Sequence, residues 1–268
     1  MIDLHCHLLP GIDDGSPDLA TSLEMARIAV ADGIEIVACT PHIYPGLYEN
    51  DGPGILRGVA TLQGLLGEHG IALQLVAGAD AHLVPGMVEK VRGGAVPTLA
   101  GSRYLLLEPP HHVAPPGFEE AVFQLVAAGY VPVITHPERL TWIADHHASF
   151  TRLVRGGAWL QVTAGSLTGR FGAEARYWGE RLLDEGAVHL LATDAHSPAR
   201  RAPLLAEGRL AAEKWVGSEE ATRLVIERPR AILDNSPATL VAPPASATGR
   251  TRSRAGWHAL RSWFGGRQ

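Results

Sequence analysis

Cysteine is almost missing from this chain of 268 residues, where Cys6 and Cys39 are the two examples. So few thiols exclude a disulfide framework and suit a reducing compartment, so the cytoplasm is the expected location. Long apolar runs are missing as well: no stretch reaches the roughly 18 residues needed to cross a bilayer. The start has no basic segment followed by an apolar stretch and a cleavage site, so a soluble, unexported protein is expected. Positive charge is scarce outside the last stretch. Residues 243–268 hold Arg250, Arg252, Arg254, Arg261 and Arg267 and no acid, so a net charge of −5 hides a body near −10. An acidic body argues against nucleic-acid binding, which needs a basic face.

What is present is enough apolar residue, 46%, to bury the core of one barrel-sized domain. Short β-rich runs alternate with helical patterns, the signature of parallel βα units in an α/β fold. The strand candidates are IDLHCH, IEIVACTPH, LQLVAGADA, YLLLEPP, VPVITHPE, WLQVTAG and VHLLATDAH. Helical spacing of apolar residues, most often closed by a glycine, marks the segments between them. Ser16, Pro17 and Asp18 read as the start of the first helix, with Ser16 as its cap. The run SPATLVAPPASATGRTRSR has the composition of a flexible linker, so the folded domain is expected to cover 1–240 and the tail 241–268.

Six of the seven strand candidates end on, or run straight into, a histidine or a carboxylate. These are His5 and His7, His42, Asp80, Glu108, His136, and Asp194 with His196, while the loop after the first strand adds Asp13 and Asp14. The carboxyl ends of the strands of a βα barrel meet on one face, so these side chains would converge in one pit. His-x-His on a strand puts two imidazoles on one side about 7 Å apart, and Asp194-x-His196 repeats that spacing. A single buried histidine is more often a hydrogen-bonded structural group than a ligand, but two such pairs with further donors at strand ends point to a metal centre. Nitrogen and oxygen donors in this number suit two or three ions of manganese, iron, zinc or magnesium rather than a structural zinc. Cys6 alternates with the two histidines and is expected to point away from the pit as a small buried hydrophobe.

Arg139 follows His136 closely and Arg201 follows His196, as binding of a phosphate by guanidinium forks would require. Arg200 reads as a solvated side chain. A cysteine phosphatase would need an arginine six residues after its cysteine, but Ile12 and Pro45 stand there, and no Gly-x-Ser-x-Gly elbow occurs. The expected nucleophile is therefore metal-bound hydroxide. Metal-dependent amide and deaminating hydrolases also start with His-x-His, some with a modified lysine between two metals. Here Lys90 and Lys214 both lie in helix-like segments, away from the strand ends.

MIDLHCHLLPGIDDGS, ACTPHIY, GADAH, YLLLEPP, ITHPERL and LATDAHS, in this order, resemble the CpsB/CapC-type bacterial tyrosine phosphatases of the PHP (polymerase and histidinol phosphatase) superfamily. The similarity runs over about residues 1–236. It implies a distorted seven-stranded (β/α)7 barrel around three divalent metal ions, manganese being expected and iron, zinc or magnesium the alternatives. It further implies one ion on His5, His7 and Asp194, a second on Glu108 and His136, Asp80 as the bridge between them, and a third on Asp14, His42 and His196. Arg139 and Arg201 would orient the phosphate, and Asp13 is left as an outer acceptor. Two departures stand out: position 80 is usually Glu in this family, and Leu140 occupies a place where an aromatic often follows the arginine, which bears on substrate packing. The implied substrate is a phosphotyrosine protein, a bacterial tyrosine kinase that controls capsule or exopolysaccharide assembly. The rival readings are a small-molecule phosphoesterase, acting on histidinol phosphate or a nucleotide, and a non-catalytic metal-binding regulator.

In the tail, Trp257, Leu260, Trp263 and Phe264 stand at helical spacing among arginines. An amphipathic helix on the inner face of an anionic membrane or on an acidic partner is one reading, and a solubilising or domain-packed end is the other.

Overall fold

The computed structural model describes residues 1–245. The tail with Trp257, Leu260, Trp263 and Phe264 lies outside the described residues. Among the described residues no helix is long and apolar enough to cross a membrane.

The fold is α/β with parallel strands, as the alternation of patterns predicts. Among the described residues, nine short strands form two sheets rather than one ring of seven. β1 (Ile2–Cys6), β2 (Ile36–Cys39) and β4 (Gln74–Ala77) make a sheet of three. β3 (His42–Ile43), β5 (Asp80–His82), β6 (Tyr104–Glu108), β7 (Val131–Thr135), β8 (Trp159–Thr163) and β9 (Leu190–Ala192) make a sheet of six. Two of the expected strands are each broken in two. IEIVACTPH breaks at Pro41, which has no N–H to offer the ladder. LQLVAGADA breaks at Gly78, where a Cβ would stand 2.8 Å from the Leu99 side chain. Hydrogen bonds from Asp194 N to His5 O (2.8 Å) and from His7 N to Ala195 O (2.9 Å) join the end of the first strand to the end of the last.

β1 departs from simple alternation in a way that decides where its histidines go. Ile2 and Leu4 pack in an inner apolar cluster with Tyr104, Trp159 and Leu190. Strict alternation would then send Cys6 inward and both histidines outward. Instead Asp3 pairs with Val37 and Cys6 with Cys39, three steps of chain against two, and this bulge reverses the facing. Cys6 enters the outer cluster beneath the helices, and His5 and His7 turn inward. The buried Asp3 carboxylate accepts hydrogen bonds from His5 N (3.3 Å), Thr193 N (3.0 Å) and Thr193 Oγ1 (2.5 Å), holding the bulge against the end of β9. Burial nonetheless pushes the Asp3 carboxyl up to about 6 against the pull of the Thr193 bonds.

Helices pack outside the strands. Leu19–Ala31 is capped by Asp18, whose side chain accepts from Thr21 N, rather than by Ser16, whose hydroxyl reaches the Asp18 carbonyl and Ser22. Ile143–Arg155 shows apolar helical spacing only in its last part, FTRLVR, because its first two turns, IADHHAS, are largely polar. Phe150 from this helix, Trp142 and Phe118 form an aromatic knot that fixes it against Phe118–Ala127. At the opposite end of the strands from the pit, Arg228 (1% exposed) bonds Glu220 at 2.7 Å and the carbonyls of Ala242 and Pro243 at 3.0 Å each, fastening the end of the described chain.

Candidate metal centre

The strand ends bring His5, His7, His42, Asp80, Glu108, His136, Asp194 and His196 together, with Asp14 reaching in from the loop after β1. That loop lies flat on His7: a Cβ on Gly15 would stand 2.4 Å from the His7 Cβ, so only glycine permits the approach. Asp13 accepts from His7 Nδ1 at 2.7 Å, from Gly15 N at 2.9 Å and from His42 N at 3.0 Å, so it orients His7 and pins the loop. His136 (φ 35°) and Asp194 (φ 51°) adopt left-handed backbone at the ends of their strands. Left-handed backbone in residues other than glycine costs on the order of 1 kcal/mol and collects at functional sites.

Distances inside the centre distinguish it from an ordinary hydrogen-bond network. His5 Nε2 stands 3.4 Å from both Asp80 Oδ2 and Asp194 Oδ1, and 3.3 Å from His7 Nε2. His42 Nδ1 stands 3.6 Å from Asp80 Oδ2, and His136 Nε2 stands 3.8 Å from that oxygen. Asp14 Oδ1 lies 3.4 Å from His42 Nε2 and 3.3 Å from His196 Nε2. Most of these gaps are too long for good hydrogen bonds. Donors sharing one ion at about 2.1 Å stand about 3.0–3.5 Å apart, so the shorter gaps suit ligands of a common cation. Asp80 Oδ2, His42 Nδ1 and His196 Nε2 are buried without a hydrogen-bond partner, a cost that a cation would remove. The donor set therefore fits divalent metal.

Donors fall into overlapping groups: His7 with Asp14, His42 and His196; His5 with His7 and Asp80; His5 with His136 and Asp194; His42 with Asp80 and Glu108; Glu108 with His111 and His136. Asp80 and Glu108 each belong to two of these groups. Charge is partitioned unevenly. Burial and Glu108 push Asp80 up, but His5 and His136 outweigh them and hold it well below the usual carboxylate range. Burial raises Glu108, and the neighbouring imidazoles of His111, His42 and His82 more than reverse this. Burial lowers His5, yet Asp80 and Asp194 lift it to about 9. Burial and Arg139 bring His136 down to about 4, and burial with His7 does the same to His196.

Both predicted arginines stand on one side. Arg139 Nη1 and Arg201 Nη2 meet on the same oxygen, Oδ2 of Asp194, Arg201 at 2.5 Å. Phe171 lies against both guanidiniums, with Arg139 Cζ 4.3 Å and Arg201 Cζ 5.7 Å from its ring centre. Arg200 is exposed. Leu140 is 2% exposed in the outer core, so it is a packing residue and not a substrate contact.

Several residues of the site lie outside the set picked out by the sequence pattern. Gln161 accepts from His5 Nδ1 at 3.0 Å and so turns Nε2 toward the centre. Thr135 Oγ1 donates to Asp80 Oδ1 at 3.3 Å. Glu138 is 1% exposed and accepts from Ser166 Oγ (2.7 Å) and Thr163 N (3.0 Å), which fixes the turn between His136 and Arg139. His82 stacks on Tyr44 at 3.9 Å, and His111 stands 3.3 Å from Glu108. The last two could have been suspected, since GADAH and EPPHH each place a histidine close to a candidate ligand.

A parallel α/β fold that gathers histidines, carboxylates and two arginines at the carboxyl ends of its strands has the makings of a metallohydrolase for an anionic substrate. The chain belongs to the CpsB/CapC family, whose model, described as capsular polysaccharide synthesis, CpsB/CapC, matches residues 1–234. It is 35% identical over 219 residues to the tyrosine-protein phosphatase YwqE of Bacillus subtilis, covering 82% of this chain and 86% of YwqE. A solved structure described as YwqE from Bacillus subtilis and CpsB from Streptococcus pneumoniae, unique metal-dependent tyrosine phosphatases, superposes with a TM-score of 0.86 at 33% identity, over 92% of this chain and 99% of that one. Histidinol phosphate phosphatase from Lactococcus lactis has a TM-score of 0.56 at 13% identity over 80% of this chain and 92% of its own, a likeness of fold alone.

Proposed function

We propose that this chain is a metal-dependent protein tyrosine phosphatase of capsular polysaccharide synthesis. The convergence of the histidine and carboxylate groups with Arg139 and Arg201 on one rim, in a member of the CpsB/CapC family, carries the reading. In it, His5, His7 and Asp194 hold one ion, Glu108 and His136 a second, and Asp80 bridges them. Asp14, His42 and His196 hold a third. Manganese is the expected metal. The two sheets would act as one distorted seven-stranded barrel, with the bonds between His5, His7 and the end of β9 as its closing seam. Residues 1–240 would be the catalytic domain and 241–268 a linker and basic aromatic tail.

Bound divalent ions would neutralise phosphoryl oxygens and make water nucleophilic at neutral pH. The chain's own residues do the rest. Arg139 and Arg201 bind the non-bridging oxygens as a fork, and Asp194, which both now contact, fixes where those forks point. Asp13 and Gln161 keep Nε2 of His7 and His5 facing the centre. Phenol, with a pKa of about 10, leaves more easily than a serine alkoxide and needs less help from an acid. The proposed partner is a tyrosine-phosphorylated bacterial kinase of capsule or exopolysaccharide assembly, met in the cytoplasm near the inner membrane face.

Hydrolysis of a phosphotyrosine peptide, before and after chelation and then with manganese restored, tests the reading. Turnover should vanish and return, and His136→Ala should abolish it while the protein stays folded. Full activity after metal removal would overturn metal dependence, and faster turnover of histidinol phosphate than of the peptide would favour a small-molecule phosphoesterase.

A further inference from the structure

We propose that His111 is an additional metal ligand, joining Glu108 and His136 in a three-residue site at the outer edge of the centre; this rests on reading the centre as metal-binding. The Glu108 carboxylate faces two ways. Its Oε2 stands 3.5 Å from His42 Nδ1 and 3.6 Å from His82 Nδ1, whereas Oε1 stands 3.3 Å from His111 Nε2 and 3.8 Å from His136 Nε2. One donor atom from each of Glu108, His111 and His136 lies within 4.8 Å of the others, and the two imidazole centres are 4.9 Å apart. Four imidazoles around one carboxylate form a nitrogen-rich pocket of the kind that takes a transition-metal ion.

The segment that carries His111 is braced for that task. Its carbonyl accepts from Thr141 N (3.0 Å) and Thr141 Oγ1 (3.2 Å), and the preceding Pro110 carbonyl accepts from Trp142 Nε1 (2.8 Å). Trp142 is itself 7% exposed and stacked on Phe150 at 5.5 Å. Pro109 and Pro110 restrict the backbone between Glu108 and His111. Ligands held on ordered backbone lose less freedom when an ion binds. The His111 side chain is 29% exposed, so this site opens toward the entrance of the pit, where an ion exchanges with solvent more readily than one at the buried His5. His112 is exposed with its ring 6.2 Å from that of His111, and it serves as the control.

Manganese added to the chelator-stripped full chain, with the unbound ion followed by its electron paramagnetic resonance, reads binding without turnover. His111→Ala should weaken one class of sites about tenfold or more, or remove it. His111→Gln keeps a donor for Glu108 without an imidazole and should match it, and His112→Ala should match the unaltered protein. Superimposable curves for His111→Ala and the unaltered protein, or full binding by His111→Gln, would overturn the assignment and reduce His111 to a hydrogen-bond donor. Should the unaltered chain itself bind no manganese, the whole metal reading falls, a result distinct from the failure of His111 alone. Thermal unfolding of the stripped variants at the temperature of the unaltered protein confirms that a change in binding is local.

Discussion

Asp13 accepts a hydrogen bond from Nδ1 of His7 at 2.7 Å, and this leaves Nε2 as the nitrogen that faces the centre. A carboxylate behind an imidazole fixes its tautomer and raises its basicity as a ligand, an effect worth about 10–100-fold in metal affinity. Asp13→Ala should therefore lower manganese affinity by roughly that factor. Because Asp13 also holds Gly15 N and His42 N, the loop should loosen too, which faster amide exchange at residues 13–16 would reveal. Unchanged affinity would mean that the loop, and not Asp13, sets the His7 ring.

Protons and metal compete for the same nitrogens. Asp80 and Asp194 lift His5 to about 9 in spite of its burial, and the neighbouring Glu108 and Asp80 carboxylates, against burial, lift His42 to about 10. Both rings should therefore carry a proton in the metal-free protein at neutral pH, whereas a ligand imidazole must be neutral. Metal uptake at pH 7 should thus release protons, and affinity should climb with pH toward about 9–10. His136 and His196, at about 4, are already neutral and add nothing to this release. Calorimetric titration in buffers of different ionisation enthalpy measures it, and heats independent of the buffer would refute it. The sign for stability runs the same way. A raised histidine pKa stabilises the metal-free fold fully below about 6.5, and that stabilisation is lost as pH rises through about 9.

The chemistry of the site was far more legible in the sequence than its scaffolding. Histidines and carboxylates at strand ends are rare enough to be read in one dimension, and the structure brings His5, His7, His42, Asp80, Glu108, His136, Asp194 and His196 together with Asp14 and with both arginines, Arg139 and Arg201. The bulge at β1 was not legible, because a slip of register leaves no mark on a pattern that looks the same whichever face is inward. Gln161, Thr135 and Phe171 were missed for a related reason: their importance lies in what stands opposite them on another strand or loop. The helix cap at Asp18 shows the limit of local rules, since Ser16 is an equally good cap by type but its hydroxyl is drawn to Ser22, which in turn donates to the Leu8 carbonyl.

Phe171 should have a measurable share in phosphate binding. Its ring supports Arg139 at 4.3 Å and Arg201 at 5.7 Å, and such cation–π contacts contribute about 0.5–2 kcal/mol. Removing the ring in Phe171→Ala frees both guanidiniums and should raise KM for a phosphotyrosine peptide about three- to tenfold, with a smaller effect on kcat. Phe171→Tyr keeps the ring face and should restore KM. Equal losses in KM for both variants would place Phe171 in packing alone.

Stability should depend on a pair far from the chemistry. Arg228 and Glu220 are 1% and 3% exposed and meet at 2.7 Å, and the same guanidinium holds the carbonyls of His189, Ala242 and Pro243. Glu220→Ala leaves a buried cation without its counter-ion, a change that costs about 3–5 kcal/mol. Replacing both partners by apolar residues of similar volume should cost much less, since the desolvation of both charges is then avoided. Urea unfolding of the metal-free chain separates the two cases. Below the unfolding transition the single variant should keep its manganese affinity, because no ligand of the centre touches this pair. A matching loss in the double replacement would show that the carbonyl bonds of Arg228, and not its charge, hold the C-terminal segment in place.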